Sequence, residues 1–84
     1  MTNNKPIDTL RDGAIKASIW KNTASDGTSF YSVTFDRTFT DSDGMTKSSS
    51  SFSASGILKL SRLAEKAYDK IAVIRAQESA RQAA

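Results

Sequence analysis

The chain has no cysteine, no histidine and a single proline. Without cysteine, neither a disulfide nor a thiolate metal site can staple the fold. Without histidine it lacks the usual general base, the usual pH switch and the commonest metal ligand. No apolar run approaches the ~18 residues of a membrane span. The opening MTNNKPIDTL has no hydrophobic core of the kind a secretory signal needs. A cytoplasmic protein without cofactor or metal is therefore the expectation. The motifs of catalysis are missing too: there is no nucleophile elbow and no Gly-rich phosphate loop. Asp41-Ser42-Asp43-Gly44 resembles the start of a calcium loop but lacks its later ligands and terminal Glu. The carboxylates are otherwise scattered over turns and a helix surface. Composition alone leaves a lysine-activated serine open, and nothing in the spacing points to one. The chain is expected not to be an enzyme.

What is present is a small domain of 84 residues with a modest apolar fraction of 38%. A domain this small, with no staple, gains burial most readily by oligomerising. Its net charge is +3. The N-terminal and strand-like regions are balanced. The excess lies downstream, where Lys59, Arg62, Lys66, Lys70, Arg75 and Arg81 face Glu65, Asp69 and Glu78. A basic surface permits nucleic-acid binding, and a solvated helix face accounts for the same excess.

The largest apolar surface is the stretch Ser53 to Ile74. Ile57, Leu60, Ala64, Ala67, Ile71 and Ile74 recur at spacings of three and four, which is one stripe of a helix, widened by Leu63. Ser53 or Ser55 can cap it. A helix over 54–78 is roughly 37 Å long at ~1.5 Å per residue. A sheet of three or four strands is only about 15–19 Å across at ~4.8 Å per strand. Part of the stripe is thus expected to overhang its own sheet and meet a second subunit. Leu60, Leu63, Ala67, Ile71 and Ile74 are the candidate dimer interface. The tail 79–84 loses the stripe and is expected to fray.

Upstream the pattern changes to period two. Residues 1–6 are expected to be flexible, and Pro6 to Arg11 is expected as a short edge strand with Ile7 and Leu10 touching the core. Ile15, Ala17 and Ile19 alternate with Lys16, Ser18 and Trp20, so the first set faces the helix and the second faces away. Tyr31, Val33, Phe35, Arg37 and Phe39 alternate with Phe30, Ser32, Thr34, Asp36 and Thr38. A tight two-residue turn at Asp26-Gly27 would mix the faces of this hairpin. A longer loop, or a bulge, is expected instead. For the next hairpin, a two-residue Asp43-Gly44 turn places Phe35 opposite Phe52, Arg37 opposite Ser50, Phe39 opposite Ser48 and Thr40 opposite Lys47. The Ser48–Ser51 run is then strand, with a flexible loop as the alternative. These elements, over 14–53, predict an α+β fold: a curved antiparallel sheet of three or four strands, then one long C-terminal helix packed on one face.

The face turned away from the helix carries Lys16, Ser18, Trp20, Phe30, Ser32, Thr34, Thr38, Lys47, Ser49 and Ser51 in this register. Hydroxyls and lysines can contact phosphates, and aromatic rings can stack on unpaired bases at roughly 1–3 kcal/mol per base. The plain alternative is a solvated sheet face.

The order of parts in AIKASIW, FYSVTFDRTFTDSDGMTK, SSFSASGILKL and LAEKAYDKI resembles the C-terminal domain of the positive cofactor 4 type transcriptional coactivators, over about Ala14 to Ile71. The resemblance implies a four-stranded sheet backed by a helix, two subunits paired through their helices, and β-ribbons that bind single-stranded DNA. It places Lys16 and Trp20 on the strand entering the binding surface, and Arg37, Phe39 and Lys47 on the ribbon. This sequence departs from the pattern in its longer first turn, its serine-rich strand after Asp43-Gly44, and its Asp36, Asp41 and Asp43. The expected function is single-stranded nucleic-acid binding by a homodimer, with Lys16, Trp20, Lys21, Phe30, Arg37, Phe39 and Lys47 as candidate contacts. A protein-interaction module with a helix-mediated dimer and no nucleic-acid binding is the alternative.

Overall fold

A computed structural model of the chain describes residues 5–83, with side chains as far as residue 80. Strands β1 (Asp8–Asp12), β2 (Ile15–Thr23), β3 (Ser29–Thr40) and β4 (Thr46–Ser49) are followed by one helix, α1 (Ala54–Ala83). The strands form a curved antiparallel meander in the order β1-β2-β3-β4, and the fold is α+β. Most of the expected flexible N-terminal segment, residues 1–4, lies outside the described residues, as does residue 84.

Glycines at positive φ set all three hairpins. Gly13 has φ +63 and is the first central residue of the two-residue turn joining β1 to β2. That is where a type II′ turn requires glycine. The other two hairpins are built alike, from Ser25-Asp26-Gly27 and Ser42-Asp43-Gly44. Gly27 N–H donates to Ala24 O at 2.9 Å and Ala24 N–H to Thr28 O at 2.8 Å. Gly44 N–H donates to Asp41 O at 3.0 Å and Asp41 N–H to Met45 O at 2.9 Å. With Gly27 and Gly44 at φ +90 and +80, each is a three-residue loop: a type I turn closed by a left-handed glycine.

The first of these loops restores the register, pairing Ile19 with Val33 as the longer loop was expected to do. The second corrects the expected register by one residue. Arg37 pairs with Ser49, Phe39 with Lys47 and Thr40 with Thr46. The extra loop residue, Ser42, is the cause, and a one-residue slip turns every side chain of β4 over. Lys47 and Ser49 therefore lie on the helix side of the sheet, and Ser48 faces away. Only Ser48 and Ser49 of the serine run are strand. Phe52 has no strand partner and packs against the core from the segment leading into α1. β1 begins two residues later than expected. Ile7 and Leu10 are an odd number of residues apart and cannot share a strand face; Leu10 packs on the core while Ile7 is exposed.

The core is Ile15, Ala17 and Ile19 of β2 against Leu63 and Ala67 of α1, flanked by Leu10, Val33, Phe35, Phe52 and Leu60. Ser53 caps α1: its hydroxyl accepts the Gly56 N–H at 3.1 Å. A Cβ on Gly56 would stand 3.4 Å from Ile15 Cδ1 and 3.2 Å from the Ser53 hydroxyl, so glycine is what lets the first turn sit this close to β2. The helix does not end at residue 78. It runs 30 residues, to Ala83. Its last turns are rich in the helix formers Ala, Gln and Arg, and Glu78 ties them to the sheet. The helix packs mainly over β2 and β1 and touches β3 least. The inner face of the β3–β4 ribbon is left outside its shadow, with Phe39 and Met45 exposed. No described helix is long and apolar enough to cross a membrane.

Candidate nucleic-acid interface

Side chains on the outer face, turned away from α1, fall into rows that cross the strands. The pairing of β1, β2 and β3 sets Arg11, Lys16 and Asp36 in one row, and Thr9, Ser18 and Thr34 in the next. Beyond them come Trp20 beside Ser32, then Asn22 beside Phe30. Alternate residues of a strand are about 6.6 Å apart at ~3.3 Å per residue. Lys16 and Trp20, four residues apart, are thus separated by about 13 Å along β2. Trp20 and Phe30 are diagonal neighbours on adjacent strands, at the ~7–8 Å typical of such pairs.

The rings differ in freedom. Trp20 is half-buried, and its indole Nε1–H donates to Thr34 Oγ1 at 2.8 Å. That bond lays the ring along the sheet. Asn22 Nδ2 donates to Ser32 Oγ at 3.0 Å. Phe30 is 52% exposed. A fixed ring next to an exposed one offers a base a surface with one side chain already ordered, which lowers the entropy cost of stacking.

The charged row is partly neutralised. Lys16 Nζ lies 3.8 Å from Asp36 Oδ2, while the other oxygen, Asp36 Oδ1, is enclosed with no donor facing it. Arg11, which is not among the candidates drawn from the sequence, is exposed opposite Lys16 and adds a second cation to the row. The weak pattern of β1 hides it.

Lys21, Arg37, Phe39 and Lys47 lie on the other, inner side of the sheet. Lys21 Nζ is 2.6 Å from Glu78 Oε2 and 6.0 Å from the Tyr31 ring centre. The Tyr31 hydroxyl donates to the other Glu78 oxygen. The Glu78 carboxylate holds both the Lys21 ammonium and the Tyr31 phenol above their ordinary pKa values, chiefly through these hydrogen bonds. Lys47 Nζ pairs with Asp41 Oδ2 at 2.9 Å. That pairing, joined by the Met45 and Asp43 backbone N–H groups, holds the Asp41 carboxyl below the usual carboxylate range. Arg37 Nε donates to Ser51 O at 3.0 Å, and its guanidinium lies 5.3 Å from the Phe39 ring centre. The structure thus divides the candidates: Lys16, Trp20 and Phe30 share the outer face, whereas Lys21, Arg37, Phe39 and Lys47 do not reach it. Strand parity accounts for three of these four, and the extra residue of the second loop for Lys47.

The candidate dimer residues divide as well. Leu63 and Ala67 are 2% and 1% exposed, buried in the chain's own core. They have no surface to give a second subunit. Leu60, Ile71 and Ile74 are half-buried. Ile57 and Tyr68, the latter 76% exposed, extend Leu60 and Ile71 into an uncovered apolar flank at spacings of three and four. That flank overlooks β3, because Lys59 and Lys70 on the opposite flank reach Gly13 and Asp8 at the β1 side.

Among the described residues no cluster of three or more acidic side chains could hold a metal ion. Comparisons of the chain with protein-family models, with curated proteins and with solved structures found no match.

Proposed function

We propose that this protein binds single-stranded nucleic acid on the outer face of its sheet, without catalysis and without a cofactor, as a homodimer. The observation that carries the reading is the adjacent pair Trp20 and Phe30 on a sheet face that no helix covers. Unpaired bases stack on such rings, whereas duplex DNA offers no free base faces. The exposed hydroxyls of Thr9, Ser32 and Thr34 and the cations Arg11 and Lys16, the latter about 13 Å from Trp20 along β2, supply phosphate contacts on the same surface. DNA is the proposed form, by the resemblance to the coactivator domain, and the cytoplasm the proposed location. In the dimer, the flank of Ile57, Leu60, Ala64, Tyr68 and Ile71 replaces the buried Leu63 and Ala67 as the contact. Fluorescence anisotropy of a labelled oligothymidylate at low salt tests the binding. Saturable binding that weakens linearly on a log–log plot against salt is expected; no change at micromolar protein refutes it.

A second reading is favoured by the ion pairs. Lys16, Lys21 and Lys47 each have a carboxylate neighbour, which lowers the pull on phosphates. The most exposed apolar groups lie on α1. A dimeric protein-interaction module without nucleic-acid binding follows from those facts. It differs in one outcome: Arg11→Ala with Lys16→Ala then leaves partner binding unchanged.

A further inference from the structure

The two outer edges of the sheet are built differently. β1 is short, and three of its five residues are charged: Asp8, Arg11 and Asp12. Pro6 stands just before it. Charge, shortness and proline are the ordinary ways of keeping a foreign strand off an edge. The other edge has no such guard. β3 has 12 residues, but β4 has four and pairs only with Arg37 to Thr40. From Ser29 to Phe35 no described strand pairs with the far side of β3.

Strand parity shows which groups are left. The Thr38 N–H bonds to Ala14 O, so the even residues of β3 point their backbone groups at β2. The Asp41 N–H bonds to Met45 O, so the odd ones point toward the β4 side. Among the described residues, the N–H and C=O groups of Tyr31, Val33 and Phe35 have no backbone partner. The open run, SFYSVTF, carries no charge and no proline and is about 20 Å long at ~3.3 Å per residue.

We infer that this edge takes the same edge of a second copy, β3 antiparallel to β3, joining two four-stranded sheets into one of eight strands. The inference rests on the proposed homodimer and specifies its geometry. A second copy is the occupant because an uncharged run meets its own image about a two-fold axis without repulsion. The apolar flank of α1 overlooks the same side, so one partner covers both. Pairing odd residues with odd keeps the faces in register. The two outer faces then become one surface, which carries Trp20 and Phe30 of both copies on either side of the axis. A single strand of nucleic acid crosses both subunits.

Amide hydrogen exchange followed by NMR, on the full chain at concentrations above and below dimer dissociation, tests this. Above dissociation, the Tyr31, Val33 and Phe35 amides are expected to exchange as slowly as those of Ser32 and Thr34; below it they lose that protection. A dimer by sedimentation whose Tyr31, Val33 and Phe35 amides stay fast overturns the edge pairing and leaves a helix-only dimer standing. A monomer at every concentration overturns both. A synthetic chain methylated on the Val33 amide nitrogen supplies the second arm. It keeps the side chain and the β2 ladder, and removes one outward donor. Its dimer dissociation constant is expected to rise roughly tenfold or more, and an unchanged constant refutes the pairing.

Discussion

The two faces of the sheet hold the same residue types in different surroundings. On the inner face, charged and aromatic groups are tied down within the chain. Glu78 holds Lys21 and Tyr31, Asp41 holds Lys47, and Arg37 lies over Phe39 while donating to Ser51. On the outer face the Trp20 ring is held by a hydroxyl, and Phe30 is left to solvent. A basic or aromatic residue in this sequence is therefore not a binding residue by type. The face it falls on, which strand parity decides, sets which partners it meets: Lys16, on the outer face, has Asp36 at 3.8 Å.

That contrast is sharpened most by removing a core side chain. Ile19 is fully buried, and Ile19→Ala is expected to cost about 2–5 kcal/mol. In a domain of this size that is a large part of the total stability, and thermal or urea unfolding reads it. Trp20→Ala, one residue along the same strand, is expected to act on binding instead. Oligonucleotide affinity should fall by about 1–3 kcal/mol, roughly 5- to 150-fold, with folding kept. Phe30→Ala should act similarly, with less effect on the melting temperature because the ring is more exposed. If Trp20→Ala instead unfolds the chain and leaves the residual affinity of the folded fraction intact, the two faces are not distinct.

The charged row gives a smaller effect. Replacing Arg11 and Lys16 together by Ala should make the slope of log affinity against log salt shallower, by about 0.7 for each phosphate no longer neutralised. The same change at Lys21 and Lys47, whose partners lie inside the chain, should barely move it.

The smallest effects are titrations. The raised Tyr31 pKa means that the proton held toward Glu78 stabilises the fold below the ordinary phenol range of about 10. That contribution disappears as pH rises through the raised value. Ultraviolet titration should show a phenol ionising late, and Glu78→Gln should bring it back down. Asp41 has the opposite sign. Its lowered pKa contributes stability above the ordinary carboxylate range, and that stability fades as pH falls through the lowered value. Carbon-detected NMR of the carboxyl should find it titrating low, and Lys47→Ala should raise it.

How much of this can be read from the residues follows from the same parity. Ile15, Ala17 and Ile19 against a helical stripe carry the core, and the alternation of β3 puts Arg37 and Phe39 opposite Phe30 and Thr34. The first loop is legible because a short turn would mix the faces. The second is not, because a two-residue Asp43-Gly44 turn also gives a consistent pattern when four serines follow. Serines take either face at little cost, so nothing in them fixes the register, and Lys47 falls on the wrong side. Glu78 escapes for a different reason. Its place four residues after Ile74 continues the stripe, but a carboxylate on an apolar stripe reads as the stripe ending. Only the positions of Lys21 and Tyr31 across the gap show it as an anchor. Which helix residues stay uncovered is likewise beyond periodicity, which finds the stripe without saying how much of it one sheet covers.

Trp20 is the only tryptophan in the chain, so its emission reports on the outer face alone. Titrated with an unlabelled oligothymidylate at low salt, it should quench in parallel with binding followed by anisotropy, and recover as salt is added. Binding that leaves the Trp20 emission unchanged would place the nucleic acid elsewhere on the molecule and contradict the assignment of the outer face.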